Sequence, residues 1–226
     1  MSISERINHI TSTFPETVKL IAVSKTHPAV AVQEAYDGGQ RIFGENKVQE
    51  MAEKYDLLPK DIQWHLIGHL QTNKVKYIAP FVAMIHSIDS IKLLKEVDKR
   101  AKQNDRVIDC LLQVYIADEE TKFGLLPSET RELLVSDEFA TLKNVRIVGL
   151  MAMATFTEDL SQIEREFASL KKLFEELSSS IEHSEQWQPK EISMGMSSDY
   201  ELAIKHGSTL VRIGSSIFGA RDYGQA

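Results

Sequence analysis

At 226 residues the chain is long enough to bury a full core within one large domain. Its 26 basic and 33 acidic side chains give a formal charge of −7, which argues against a general nucleic-acid or anionic-membrane surface and leaves room only for a local basic pocket. Hydrophobic residues make up 42% and charged residues 26%, a balance that excludes a disordered or fibrous chain.

The opening stretch Met1-Ser2-Ile3-Ser4-Glu5-Arg6 lacks a basic-then-apolar leader pattern, and no later run reaches membrane-spanning length. A cytoplasmic protein is expected. Residues 4–10 read as a short amphipathic helix with Ile7 and Ile10 on one side. The run Leu20-Ile21-Ala22-Val23-Ser24 is a first strand ending on Lys25. A helix over residues 28–36 is closed by Gly38-Gly39. Arg41-Ile42-Phe43-Gly44 is a second strand, and Glu45-Asn46-Lys47-Val48 opens a second helix. Gln63-Trp64-His65-Leu66-Ile67 is the third strand, and residues 68–74 turn into a third helix that stops by Pro80. The fourth strand, Met84-Ile85-His86-Ser87-Ile88, leads into a helix over residues 90–103.

Residues 107–115 form the longest apolar run and are expected as a central fifth strand. The single cysteine, Cys110, lies in it as an inert core thiol and excludes an internal disulfide. A loop with Lys122 and Gly124 precedes a helix starting near Pro127. Residues 145–151 are the sixth strand, and residues 160–179 a long helix with Ile163, Phe167, Leu170, Leu173, Phe174 and Leu177 at helical spacing. Residues 183–190 read as a polar loop holding Trp187 and Pro189, and Glu191-Ile192-Ser193-Met194 as the seventh strand. A helix over residues 198–206 and the strand Thr209-Leu210-Val211-Arg212-Ile213 complete the series, before Gly214-Ser215-Ser216 and a short tail.

Eight strands alternating with helices predict the α/β class and a closed (β/α)8 TIM barrel, as a single domain over residues 1–226. A doubly wound open sheet is the alternative, but no G-x-G-x-x-G turn marks a dinucleotide site.

In such barrels chemistry gathers where the strands leave at their carboxyl ends. Lys25 is there, either solvated or held close to apolar surroundings, where a lowered pKa frees its amine to attack a carbonyl. After the seventh strand, Gly195 lets a ligand approach the backbone, and Ser198 with Glu201 fits a capping box on a helix whose N-terminus faces the rim. After the eighth, Gly214-Ser215-Ser216 offers a second cup of donors. These are either a phosphate cradle or two ordinary capped loops. Arg212, on a buried strand, needs an acceptor, which is a barrel carboxylate or a ligand atom. Pyridoxal 5'-phosphate fits all three: a carbonyl for Lys25, a phosphate for the cup and a ring nitrogen for Arg212. His65 and His69 are four apart, but Gly68 interrupts them and no third ligand is suitably spaced, so no metal is expected. The methionines 151, 153, 194 and 196 are expected to pack the barrel mouth.

The strings Ala22-Val23-Ser24-Lys25, Phe43-Gly44-Glu45-Asn46, Trp64-His65-Leu66-Ile67-Gly68-His69-Leu70-Gln71-Thr72-Asn73-Lys74, Gly149-Leu150-Met151 and Ser193-Met194-Gly195-Met196-Ser197 occur in this order. With Val211-Arg212-Ile213-Gly214 and Ile217-Phe218-Gly219-Ala220-Arg221 they make the chain similar, from about residue 18 to 223, to the pyridoxal phosphate homeostasis protein family. That family resembles the amino-terminal barrel of alanine racemase without its second domain. The resemblance implies a Schiff base at Lys25, phosphate contacts from Ser197, Gly214 and Ser215, Arg212 facing the pyridine nitrogen, and Asn46, Ser87 and Met194 lining the cofactor. An arginine there leaves the ring neutral, and the tyrosine that alanine racemase brings from a partner's second domain has no counterpart. A tyrosine of this barrel, His65 or His86 could substitute, but the sequence places none of them there. The expectation is therefore a monomeric carrier that delivers the cofactor to apo pyridoxal phosphate-dependent enzymes. The rivals are a cofactor-dependent enzyme on an unidentified amino acid and a Schiff-base aldolase using Lys25. Lys122 is either exposed or able to reach the site or a partner.

Overall fold

The computed structural model describes residues 1–117 and 124–219. Lys122, Ala220 and Arg221 lie outside the described residues. Helix α1 (Ile3–Thr11) starts in a reciprocal cap, with the Glu5 N–H on Ser2 Oγ and the Ser2 N–H on the Glu5 carboxylate. It buries Ile3, Ile7 and Ile10, spaced for one helical face. Strands β1 (Lys19–Val23), β2 (Ile42–Glu45), β3 (Gln63–Leu66) and β4 (Met84–Ile88) follow in order. Between them lie α2 (Ala29–Asp37), α3 (Val48–Leu57), and a 3-10 turn Thr72–Lys74 continued by α4 (Val75–Ile78).

The second half runs α5 (Ile91–Gln103), β5 (Ile108–Gln113), α6 (Pro127–Leu134), α7 (Asp137–Ala140), β6 (Val145–Met151), α8 (Leu160–Ser180), β7 (Trp187–Ser193), α9 (Tyr200–Lys205), β8 (Leu210–Ile213) and α10 (Ser215–Phe218). Helix α8 is capped by Asp159, which accepts the N–H groups of Ser161 and Gln162. Its buried side chains include Ile163, Phe167, Leu170, Leu173 and Leu177, the stripe expected from their spacing.

The strands close into a parallel barrel in the order β1 to β8, the eighth returning to pair with the first. This seam pairs Leu20 with Val211, Ile21 with Arg212 and Ala22 with Ile213. An inner cluster of Ile21, Met84, Leu111, Val148, Met151 and Leu210 packs together apart from a larger one that buries residues of the strands against α1 to α10. Cys110 is fully buried, and burial together with Asp109 pushes its thiol well above the ordinary range, so it is inert. Among the described residues, no helix is long and apolar enough to cross a membrane.

Several boundaries differ from those expected. Glu45 ends β2 rather than opening a helix, because its carboxylate is drawn beneath the barrel rim by Lys54 on α3. One helix was expected after Pro127, and two are found, since Ser136 Oγ caps a fresh start by accepting the Phe139 N–H. The fifth strand has no central position, because a closed barrel has no centre, and β6 and β7 are longer than β5. Strand β7 begins at Trp187, inside the segment expected as a polar loop. Trp187 is buried and pairs with Ile147, while Gly149 pairs with Glu191, so Pro189 sits in the register shift between them, where a missing N–H breaks no ladder bond.

Candidate functional site

The carboxyl ends of β1, β2, β7 and β8 bring the chemistry-bearing residues to one rim. Lys25 follows β1 in a turn and is half-buried. Asn46 follows β2 and is also half-buried. Ser87, on β4, is fully buried and donates its hydroxyl to the Gly68 carbonyl at 2.7 Å, tying β4 to the loop after β3. Met194 is fully buried among the side chains of the outer layer, with its N–H facing Ser208 Oγ at 3.4 Å. Of the methionines expected at the mouth, Met151 packs in the inner cluster and Met153 is 41% exposed.

Arg212 is deeply buried, at 5% exposure. Burial lowers its pKa to about 10, with Asp199 acting in the opposite direction, so the guanidinium keeps its charge at neutral pH. It forms no carboxylate ion pair among the described residues. Instead Nη1 donates to Ser193 Oγ at 2.6 Å and Nη2 to the Ala152 carbonyl at 3.0 Å, the latter reaching across from β8 to the end of β6. Behind it runs a polar chain that the sequence did not reveal. His86 Nδ1 is 3.0 Å from Ser193 Oγ, and His86 Nε2 is 2.9 Å from His65 Nδ1. Because β4 and β7 are not neighbours, the His86–Ser193 contact spans the barrel interior. Burial pushes the His65 pKa down to about 3 and that of His86 well below 6.5, so both imidazoles are neutral. The one available signal was Ser193 two residues before Gly195, on the face that alternation turns inward with Arg212.

The two expected cups meet. The Gly214 N–H donates to Ser197 Oγ at 3.2 Å, joining the loop after β7 to the one after β8. The N–H groups of Ser215 and Ser216 open α10 and have no acceptor among the described residues. A Cβ on Gly214 would lie 3.0 Å from the Val23 carbonyl oxygen, so the bare glycine lets this loop settle closely against β1. Two details depart from expectation. The helix after β7 starts at Tyr200, not Ser198, and the Ser198–Glu201 capping box does not form, because Asp199 Oδ1 turns back to accept the Met196 N–H at 2.5 Å. Gly195, with φ of +91°, serves packing: a Cβ there would lie 2.5 Å from Ala203 Cβ on α9. A cavity of roughly 510 Å³ lined by Ser197, Ser198, Asp199, Tyr200 and Ser216 adjoins the joined cups. Among the described residues no three His, Cys, Asp or Glu side chains are grouped to hold a metal.

Comparison with known proteins extends this picture. The family model of the alanine racemase N-terminal domain matches residues 1–222. A pyridoxal phosphate homeostasis protein of Aquifex aeolicus is 41% identical over 206 residues, covering 91% of this chain and 88% of its own. The structure of PipY from Synechococcus elongatus, solved with PLP bound, superposes with a TM-score of 0.86 at 38% identity, covering 96% of this chain and all of PipY. An alanine racemase from E. faecalis shares the fold at 16% identity and a TM-score of 0.73, and 57% of that chain is matched. The chain therefore belongs to the pyridoxal phosphate homeostasis protein family, on the fold of the alanine racemase N-terminal domain.

Proposed function

We propose that this protein holds pyridoxal 5'-phosphate reversibly at the rim of its barrel and buffers or delivers it, without racemase turnover. Kinship with PipY, solved with that cofactor, supports binding. The donor set fits the group. When bound, the cofactor supplies an aldehyde that condenses with a primary amine and a ring able to accept electrons. Lys25 Nζ is the amine, and the linkage is a Schiff base. The Ser197 hydroxyl and the Gly214–Ser215 loop hold the phosphate, Gly214 by orienting Ser197 through its N–H and Ser215 through its bare N–H, while Arg212 donates to the pyridine nitrogen. Asn46 flanks the ring, Met194 supports its wall from the outer layer instead of touching the ring, and Ser87 braces that wall through Gly68.

The observation that carries binding over turnover is the setting of Arg212. A guanidinium with a pKa of about 10 does not surrender its proton at neutral pH, so the ring nitrogen stays neutral and is a weak electron sink. The neutral His65–His86 pair behind Ser193 offers no charge to change this. The reading includes one barrel domain over residues 1–226, acting in the cytoplasm as a monomer on apo pyridoxal phosphate-dependent enzymes.

The test is a pyridoxal phosphate titration of wild type and Lys25→Ala, followed by visible absorbance, then borohydride reduction and peptide mapping. Wild type gains the Schiff-base band and a label on Lys25, and the variant gains neither. An unchanged band in the variant removes Lys25 from the site. Racemisation of any amino acid at a rate typical of enzymes, on the order of 1 per second or faster, overturns the carrier reading.

A further inference from the structure

The turn that carries Lys25 is gripped from below. Ser24 is fully buried, and its N–H extends the sheet onto the Gly44 carbonyl at 3.1 Å. Its hydroxyl donates to Glu45 Oε1 at 2.6 Å. From α3, Lys54 spends its ammonium on three acceptors: the Ser24 carbonyl at 2.8 Å, Glu45 Oε1 at 2.6 Å and Glu50 Oε1 at 2.8 Å. Glu50 Oε1 also accepts the Thr26 N–H at 2.6 Å. Thr26 has φ of +67°, a left-handed conformation that a β-branched residue adopts only when its surroundings impose it. Lys25 lies between the two residues so held.

Such an arrangement is costly as a fastening alone. Glu45 is entirely buried, the Lys54 side chain is 6% exposed, and Glu45 Oε2 has no hydrogen-bond partner among the described residues. Two apolar side chains of similar volume hold a strand to a helix as well as a buried ion pair, or better. They cannot bind a carbonyl on one side of a chosen residue and, through a second carboxylate, an N–H on the other. We propose that Lys54, with Glu45 and Glu50, is a positioning unit for Lys25 that fixes the backbone of residues 24–26 and so aims Nζ at the carbonyl it is to meet. The proposal rests on the assignment of Lys25 as the attaching amine. The burial that raises the Glu45 carboxyl to about 7, against the pull of Lys54 and Ser24 and with the push of Glu50, marks how closely the unit is balanced at neutral pH.

The test compares wild type with the charge-free pair Glu45→Gln/Lys54→Met and with Glu50→Ala, which leaves the buried pair intact. Three quantities are read: the thermal midpoint and the Thr26 amide exchange rate of the apo protein, and the rate at which added pyridoxal phosphate becomes reducible by borohydride onto Lys25. Both variants should lose Thr26 protection and attach the cofactor at least tenfold more slowly. Glu50→Ala should do so with a midpoint close to that of wild type, which keeps the test open if the pair variant fails to fold. Wild-type attachment rates in a folded variant overturn the positioning role while leaving the Lys25 assignment standing. No label on Lys25 in wild type itself overturns the assignment, and the positioning role with it.

Discussion

His65 and His86 make the acid response of this protein a property of single residues. Both are neutral in the fold, and both take up a proton on unfolding once the pH falls below about 6.5. Between that value and about 3, where His65 titrates when folded, the unfolded chain binds more protons and stability falls as pH falls. The loss is up to about 1.4 kcal/mol per pH unit for each imidazole. Glu45 acts in the opposite sense: its folded pKa of about 7 exceeds 4.5, so across that window the folded state binds the extra proton and stability declines as pH rises. Urea unfolding of wild type and His65→Gln between pH 6.5 and 4 should show the variant losing less stability per pH unit, by roughly one proton's worth. Equal slopes would mean that His65 is not held neutral in the fold. None of this was legible along the chain, because the His65–His86–Ser193–Arg212 contacts join residues on four separate strands. Lys54 left a fainter trace, three residues after Met51 and six after Val48 on the buried face of α3, where a lysine needs a reason.

At the scale of elements, β6 and β7 carry the irregularity on which the rim depends. Gly149 has φ of +154°, and a Cβ there would lie 1.7 Å from the Glu191 carbonyl oxygen. The strands meet only because that position is bare, and the shift that absorbs Pro189 lies in the same stretch of the ladder. Gly149→Ala should push β7 outward, moving Ser193 from Arg212, and cost more than about 2 kcal/mol in denaturant unfolding. A variant of wild-type stability would show that the two strands can separate without cost. Strand order and most helix spans were readable from apolar periodicity and from Pro and Gly punctuation. The start of β7 was not, since the polar and proline residues of 186–190 mimic a loop, and only pairing with β6 gives them a sheet partner. The helix start at Tyr200 was missed for a similar reason: Ser198 and Glu201 satisfy a local pattern, while Asp199 makes the bond that sets the turn.

For the whole molecule, the rim residues come from both ends of the chain and meet on one arc of the barrel, where β7, β8, β1 and β2 are neighbours. Lys25, Arg212 and the Ser197–Gly214 junction were legible because each stands at a strand end, where the eight-unit rhythm points. That they share one rim was expected from the same rhythm, but the Ser197–Gly214 hydrogen bond was not, since it depends on loops crossing between β7 and β8. If the joined cups take the phosphate, Ser215→Asp should weaken binding of pyridoxal phosphate at least tenfold through like-charge repulsion and leave the weaker binding of pyridoxal, which has no phosphate, unchanged. Equal loss for both ligands would move the phosphate elsewhere.

If the cofactor is held as proposed, the β1–β8 pairing makes it a staple across the last joint of the barrel to be assembled during synthesis. Lys25 stands just past one edge of that joint and Arg212 with the Gly214 loop on the other. A chain released before its eighth strand is made has the amine but neither the arginine nor the cup. On that proposal loading would report that the ring has closed, and a ligand that binds only the closed form would draw that equilibrium toward closure. Amide exchange along Leu20–Ala22 and Val211–Ile213 should slow on adding pyridoxal phosphate more than exchange along β4 and β5 on the opposite arc. Uniform slowing would assign the effect to global stabilisation instead.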